Sequence, residues 1–293
     1  MFARRDFLRA GSFLALTLAA SKSQADEPFG GEGFARAIRA AEQLGAGRLG
    51  VAVLDTENGR RFDWHGGDRF PVTSTFKFLL AAVILAKVDR GSEQLDRRVP
   101  VNASDMVDYA PISGKHVGGA LTVSELCEAI IVLSDNPAAN ILLASIDGPA
   151  GLTRLVREFG DQHFRLDRLE TALNEATPGD LRDTTTPLAM LADMERLLIG
   201  DVLKPASRTL LTNWLIACRT GDQKIRAGLP QDWRCGDKTG AGGRGTNNDI
   251  AILWPPGRRP VLVTAYLTET AASLDARNAA LAAVGRAIVS AFA

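Results

Sequence analysis

Arg48-Leu49-Gly50-Val51-Ala52-Val53-Leu54-Asp55, followed by Glu57-Asn58-Gly59 and then by Arg60 to His65, is the stretch on which the fold turns. A run of β-formers, an Asn-Gly turn and a second short run predict two strands joined as a hairpin. Two more runs of the same kind, Asp249 to Trp254 and Val261 to Leu267, lie at the far end of the chain, separated by Pro255-Pro256-Gly257. Apolar residues at helical spacing flank both pairs, from Phe34 to Leu44 and from about Ser273 to Phe292. Between these ends the signals are helical. Thr122-Val123-Ser124-Glu125 has the form of a capping box, Thr186-Pro187 that of an N-cap followed by proline at the first helical position, and Pro205 introduces a helix predicted to end near Gly221. The economical solution is an α+β fold. One antiparallel sheet is built from both chain ends and flanked by the terminal helices, and an all-α domain is inserted between them. The division predicted is 26–66 with 222–293 for the α/β domain and 67–221 for the all-α domain.

Composition narrows the function. The chain has 293 residues, 46% of them hydrophobic, with 34 Lys+Arg balanced by 34 Asp+Glu. Such a chain can bury a sizeable core, and it lacks the basic excess of a protein that binds nucleic acid through its field. Residues 1–25 read as a cleaved leader: paired Arg4-Arg5, an eleven-residue apolar run from Ala10 to Ala20, and Ser23-Gln24-Ala25 before Asp26. The arginine pair suggests twin-arginine export, and the apolar run falls short of the about 20 residues that span a bilayer. The leader holds Arg4, Arg5, Arg9 and Lys22 against Asp6, so the chain beyond it is acidic by three charges. A periplasmic or secreted protein without a stable membrane anchor is expected. The cysteines, Cys127, Cys218 and Cys235, and the histidines, His65, His116 and His163, have no metal-ligand spacing, so no metal is expected.

Three short motifs carry chemistry. Ser74-Thr75-Phe76-Lys77 opens an apolar helical run, so with a helix beginning at Ser74 the Lys77 ammonium lies on the serine's face and can reach its hydroxyl. A serine is a poor nucleophile until a neighbour takes its proton, and a helix N-terminus stabilises the anion that forms. Ser134-Asp135-Asn136, followed by Pro137, interrupts a second helical run and sets three polar side chains at a break, where they can point into a cleft. Lys238-Thr239-Gly240 precedes the strand Asp249–Trp254 and offers a cation, a hydroxyl and space for a ligand to approach the backbone. Gly240-x-Gly242-x-x-Gly245 has the dinucleotide spacing but is followed by a strand where that fingerprint requires a helix, so no nucleotide cofactor is expected.

In this order the three motifs resemble the signature of class A β-lactamases and penicillin-binding proteins. The resemblance to class A β-lactamases extends through Tyr109-Ala110-Pro111, Leu121 to Cys127 and Arg168-Leu169-Glu170-Thr171-Ala172-Leu173-Asn174. It implies hydrolysis of β-lactams, without cofactor, by a monomer. Ser74 would attack the lactam carbonyl, with the backbone N–H groups of Ser74 and Ala241 as oxyanion hole. Either Lys77 or Glu170 acting through a water would take the serine proton, Ser134 would protonate the leaving nitrogen, and Glu170 with Asn174 would hold the deacylating water. Tyr109 would wall the cleft, Asn136 contact the substrate amide, and Lys238, Thr239, Gly240 and Ala241 the carboxylate end. Arg168 and Asp183 would close an omega loop at about 165–183. Many members carry an arginine where this chain has Asn247; Lys224, by position, or Arg226 would replace its charge. Cys127 faces Ala81 where some members have a disulfide, and Thr73 and Gly242 take the place of another found in some carbapenem-hydrolysing members. A D,D-peptidase, a β-lactam sensor domain and, more distantly, a serine glutaminase are the alternatives with related chemistry.

Overall fold

The computed structural model describes residues 29–292; the leader predicted at 1–25 lies outside them. Helix α1 (Glu32–Gly45) leads into β1 (Arg48–Asp55) and β2 (Arg61–Trp64), and a short β3 (Phe70–Pro71) precedes α2 (Phe76–Asp89). Strands β4 (Arg98–Pro100) and β5 (Ala120–Thr122) bracket a long loop; α3 (Val123–Val132), α4 (Asn136–Ala144) and α5 (Gly148–Glu158) follow. After β6 (Thr184–Thr185) come α6 (Pro187–Met194), α7 (Pro205–Ile216), then β7 (Arg234–Ala241), β8 (Asn247–Trp254), β9 (Val261–Thr268) and α8 (Leu274–Phe292).

Both chain ends build one sheet, ordered β2-β1-β9-β8-β7, and all its pairings are antiparallel. The alternation read in β1 sorts its side chains. Val51 and Val53 join Phe34, Ile38, Leu281 and Ile288 under the terminal helices. Ala52 and Leu54 join Phe70, Phe76, Leu79 and Tyr266 on the other face, against the helical body. Helix α2 is apolar all round and buried from Phe76 to Ala86, as a central helix must be. Among these buried residues only Lys77 is charged.

The local signals act as read at two caps. Thr122 Oγ1 accepts from the Glu125 amide while the Glu125 carboxylate accepts from the Thr122 amide, at 3.1 and 2.7 Å. Thr186 Oγ1 accepts from the Ala189 amide at 3.1 Å, with Pro187 opening α6. Two expectations are corrected, and one unassigned segment gains an element. Ser74 does not begin α2: it lies in a 3-10 turn, Thr73–Thr75, two residues before Phe76, where the helix starts. Helix α7 stops at Ile216, well short of Gly221. Lys238-Thr239-Gly240, to which the sequence assigned no element, is part of β7, the sheet's edge. All three cysteines are free and buried, so Cys218 and Cys235 are unpaired, and burial pushes the Cys127 and Cys218 thiols up.

A pair of carboxylates sits in the helical body with little compensation. Asp193 on α6 is fully buried and its Oδ1 accepts from Arg196 at 3.1 Å; Asp161, also buried, accepts from the His163 and Phe164 amides at 2.6 and 3.1 Å. The Oδ2 atoms of both are unpartnered. Burial first, and then the Asp161 charge, pushes the Asp193 carboxyl well above the usual range. An acid whose folded pKa is raised contributes stability below its unfolded pKa and loses it as pH rises through the folded one. Asp193→Asn is therefore expected to raise the melting temperature at pH 8 by about 3 °C, on the order of 1 kcal/mol, with the gain shrinking toward pH 4. Thermal melts of both proteins at the two pH values check it; an equal difference at both would refute the titration.

Candidate active site

The 3-10 turn at Ser74, the break before α4, the 165–183 loop and β7 converge on one cleft of 560 Å³, lined by Ser74, Tyr109, Ser134, Asn136, Asn174 and Lys224 together with Thr239, Gly240 and Ala241. The backbone is tight here. Thr73, Tyr109 and Ser134 all have positive φ (43°, 68° and 59°), a conformation that costs a side-chain-bearing residue free energy and clusters at functional sites. Gly240 has a physical reason to be glycine, because a Cβ there would lie 2.1 Å from Thr73 Oγ1 and 3.3 Å from the Ser74 nitrogen.

Lys77 is the hub. Its Nζ lies 2.6 Å from Asn136 Oδ1, 2.8 Å from the Ser134 carbonyl, 2.9 Å from Glu170 Oε1 and 3.1 Å from Ser74 Oγ. An ammonium has three protons, shared here among these four acceptors, which include Ser74 Oγ. Burial lowers the pKa of Lys77, opposed by the Glu170 charge, and the Ser74 hydroxyl in turn donates to Glu170 Oε1 at 3.4 Å. The serine proton has a path onto the Lys77–Glu170 pair. On the other Glu170 oxygen, Asn174 Nδ2 donates at 2.6 Å.

The other wall is Lys238, fully buried, whose Nζ donates to Ser134 Oγ at 3.1 Å and to the Thr239 carbonyl at 2.7 Å. Burial lowers its pKa to about 7. Ser134 Oγ, also 3.4 Å from Lys77 Nζ, is held between the two lysines. Lys224 Nζ donates to the Gly240 and Asn248 carbonyls at 3.2 and 3.0 Å, and burial lowers its pKa to about 8. Arg226 instead pairs with Asp237 and does not line the cleft. Asn247 gives its Nδ2 to Asn278 Oδ1 at 3.0 Å, and Asn278 donates on to Gln223 Oε1 at 3.1 Å.

Arg168 Nε lies 2.6 Å from Asp183 Oδ2, and Asp183 Oδ1 accepts from the Asp167 and Arg168 amides at 2.7 and 3.0 Å, so both ends of the loop meet there. The loop carries a cis peptide between Glu170 and Thr171. Asn140 escaped sequence reasoning: its amide donates to the Glu170 carbonyl at 2.9 Å and accepts from the Glu170 N–H at 3.0 Å. Its signal was position alone, four residues after Asn136 and hence on the same face of α4. Asp135 departs from the reading that set it toward the cleft. Its carboxylate points inward, accepting from the Ile112 and Ser113 amides (both 2.9 Å), the Ser113 hydroxyl (2.7 Å) and, as N-cap of α4, the Ala138 amide (2.9 Å).

Known proteins resemble this chain in sequence and in fold. The model of a family described as the Beta-lactamase enzyme family matches residues 33–292. Beta-lactamase L2 of Stenotrophomonas maltophilia is 46% identical over 296 residues, covering 98% of each chain. Among solved structures, an ancestral (GNCA) class A β-lactamase superposes with a TM-score of 0.87 at 58% identity, over 88% of this chain and 100% of that one. A β-lactamase from Xanthomonas campestris pv. campestris gives 0.85 at 51% identity, over 87% and 96%.

Asp135 tethers the loop bearing Tyr109 to the start of α4 without facing the cleft. Asp135→Ala leaves four donors unsatisfied and is expected to cost on the order of 3 kcal/mol of stability. Urea unfolding measures this, and a variant as stable as the parent would refute the tethering role.

Proposed function

The chain belongs to the β-lactamase enzyme family as a class A serine enzyme hydrolysing β-lactams, and on that premise we propose how its side chains divide the reaction. Ser74 attacks the lactam carbonyl while the Lys77–Glu170 pair takes its proton. The backbone N–H groups of Ser74 and Ala241 bind the oxyanion, which is charge stabilisation by fixed dipoles. Ser134, between the two lysines, hands a proton to the departing ring nitrogen, and Lys238 keeps that position electropositive. The acyl-enzyme is then cleared by a water between Glu170 and Asn174, with Glu170 as general base.

The observation that carries this reading is the Glu170 carboxylate, buried, 3.4 Å from Ser74 Oγ and bound to Asn174 at 2.6 Å. A D,D-peptidase or a sensor domain needs no such group, because its acyl-enzyme is meant to persist. Hydrolysis destroys the acylating power of the antibiotic, and that is resistance. Tyr109, 56% exposed, forms the outer wall, and the second amide proton of Asn136 is available to the substrate's side chain. Thr239, Lys238 and Lys224 receive the carboxylate. Lys224 supplies the charge absent at Asn247, since it is the basic residue that both lines the cleft and touches the Gly240 carbonyl. Every group named lies in one chain, which suits a monomer. The leader at 1–25 directs it to the periplasm or outside the cell, and no described helix is long and apolar enough to cross a membrane.

Glu170→Ala is expected to acylate and then stall, giving one stoichiometric burst with nitrocefin in place of steady turnover, a loss of at least about 10³-fold in kcat. Sustained rapid hydrolysis would sink the assignment. Lys224→Ala is expected to raise KM for a penicillin about tenfold, close to 1.4 kcal/mol, whereas Arg226→Ala, losing its pair with Asp237, lowers melting temperature with KM little changed. The opposite pattern would move the charge to Arg226. As pH rises through the values of Lys238 and Lys224 the site loses positive charge, so the parent's KM rises above pH 8.

A further inference from the structure

Thr220 lies in the turn after α7 and carried no sequence signal, yet its hydroxyl oxygen is 2.6 Å from that of Thr239, and both residues line the cleft. A hydroxyl has one proton and two lone pairs. Two hydroxyls in contact therefore leave one proton free to point elsewhere, and which one depends on what else is near. On the far side of Thr220 is Cys218 Sγ, 3.3 Å away and a weak partner by comparison. On the open side of Thr239 is the cleft, with Lys224 and Lys238 beside it. An anion in the cleft accepts the Thr239 proton, and the Thr239 oxygen, left needing a donor, finds it in Thr220.

We infer that Thr220 is a positioning residue for substrate binding: its hydroxyl donates to Thr239, turns the Thr239 proton into the cleft and so aligns it on the carboxylate of the β-lactam. This rests on the reading that Thr239 receives that carboxylate. The direction is physically favoured because a hydrogen bond to a charged acceptor is about twice as strong as one between neutral groups, and chained donors polarise one another. Thr220 never touches the scissile bond, so its effect falls on binding and leaves the chemical step alone.

The test is a kinetic comparison of Thr220→Val, Thr220→Ser, Thr239→Val and the double variant Thr220→Val/Thr239→Val on benzylpenicillin, with melting temperatures measured alongside. Thr220→Val keeps the shape and removes the proton; it is expected to raise KM about tenfold with kcat within about twofold. Thr220→Ser is expected to restore the parent KM, and the double variant to behave as Thr239→Val alone, because Thr220 acts through Thr239. An unchanged KM in Thr220→Val, a serine variant no better than valine, or additive losses in the double variant would each overturn the proposal. If Thr239→Val itself leaves KM unchanged, the carboxylate reading falls and this inference with it. A raised KM in Thr239→Val with none in Thr220→Val removes the positioning role only.

Discussion

A lysine ammonium without exposed surface, in a buried helical stretch, Phe76 to Ala86, that is otherwise apolar, is the constraint to which the rest of the site answers. Burying a charge costs several kcal/mol unless it is paired and its protons are all accepted. Lys77 meets that cost with three acceptors from two separate parts of the chain: the Ser134 carbonyl and the Asn136 amide at the break between α3 and α4, and the Glu170 carboxylate on the 165–183 loop. The break and the loop must therefore both come to the N-terminal end of α2. Asn140 and the Arg168–Asp183 pair then hold the loop's backbone where its carboxylate is needed. The geometry of the proposed catalytic site and the compensation of a buried charge are the same set of contacts.

The same logic gathers cations on the other wall. Lys238 and Lys224 are both buried and both lean on main-chain carbonyls, which bind a cation without neutralising it. Their charge is thus directed into the cleft. The balanced total of 34 basic and 34 acidic residues conceals this, since attraction for an anionic substrate depends on the few charges at the site and on their low-dielectric setting.

How much of this was legible in the chain depended on how local the cause was. β1, β8 and β9 were readable because each has two buried faces filled by β-formers, and the caps at Thr122 and Thr186 because they are closed within four residues. β7 was missed: Arg234-Cys235-Gly236-Asp237-Lys238-Thr239-Gly240-Ala241 has two glycines and three charges, and it is a strand because β8 pairs with it along its full length. The start of α2 was placed two residues early because the conformation of the serine turn answers to Gly240 packed against it and to the Asp183 carbonyl that binds Val72, both remote in sequence. The motif residues were found through their fixed spacing. Asp135 was in a motif but turned away from the cleft, and Asn140 and Thr220 were outside any motif; their partners are contacts that only the folded chain creates.

The three free cysteines bear on where this protein can be made. Each is enclosed, and none bonds to another. Enclosure together with a raised thiol pKa keeps the reactive thiolate scarce and out of reach of oxidants. The fold has no covalent cross-link to acquire or lose, so it is indifferent to the redox potential around it. A reducing cytosol and an oxidising extracellular medium present it with the same set of stabilising contacts, and maturation needs no disulfide-forming oxidase or disulfide isomerase.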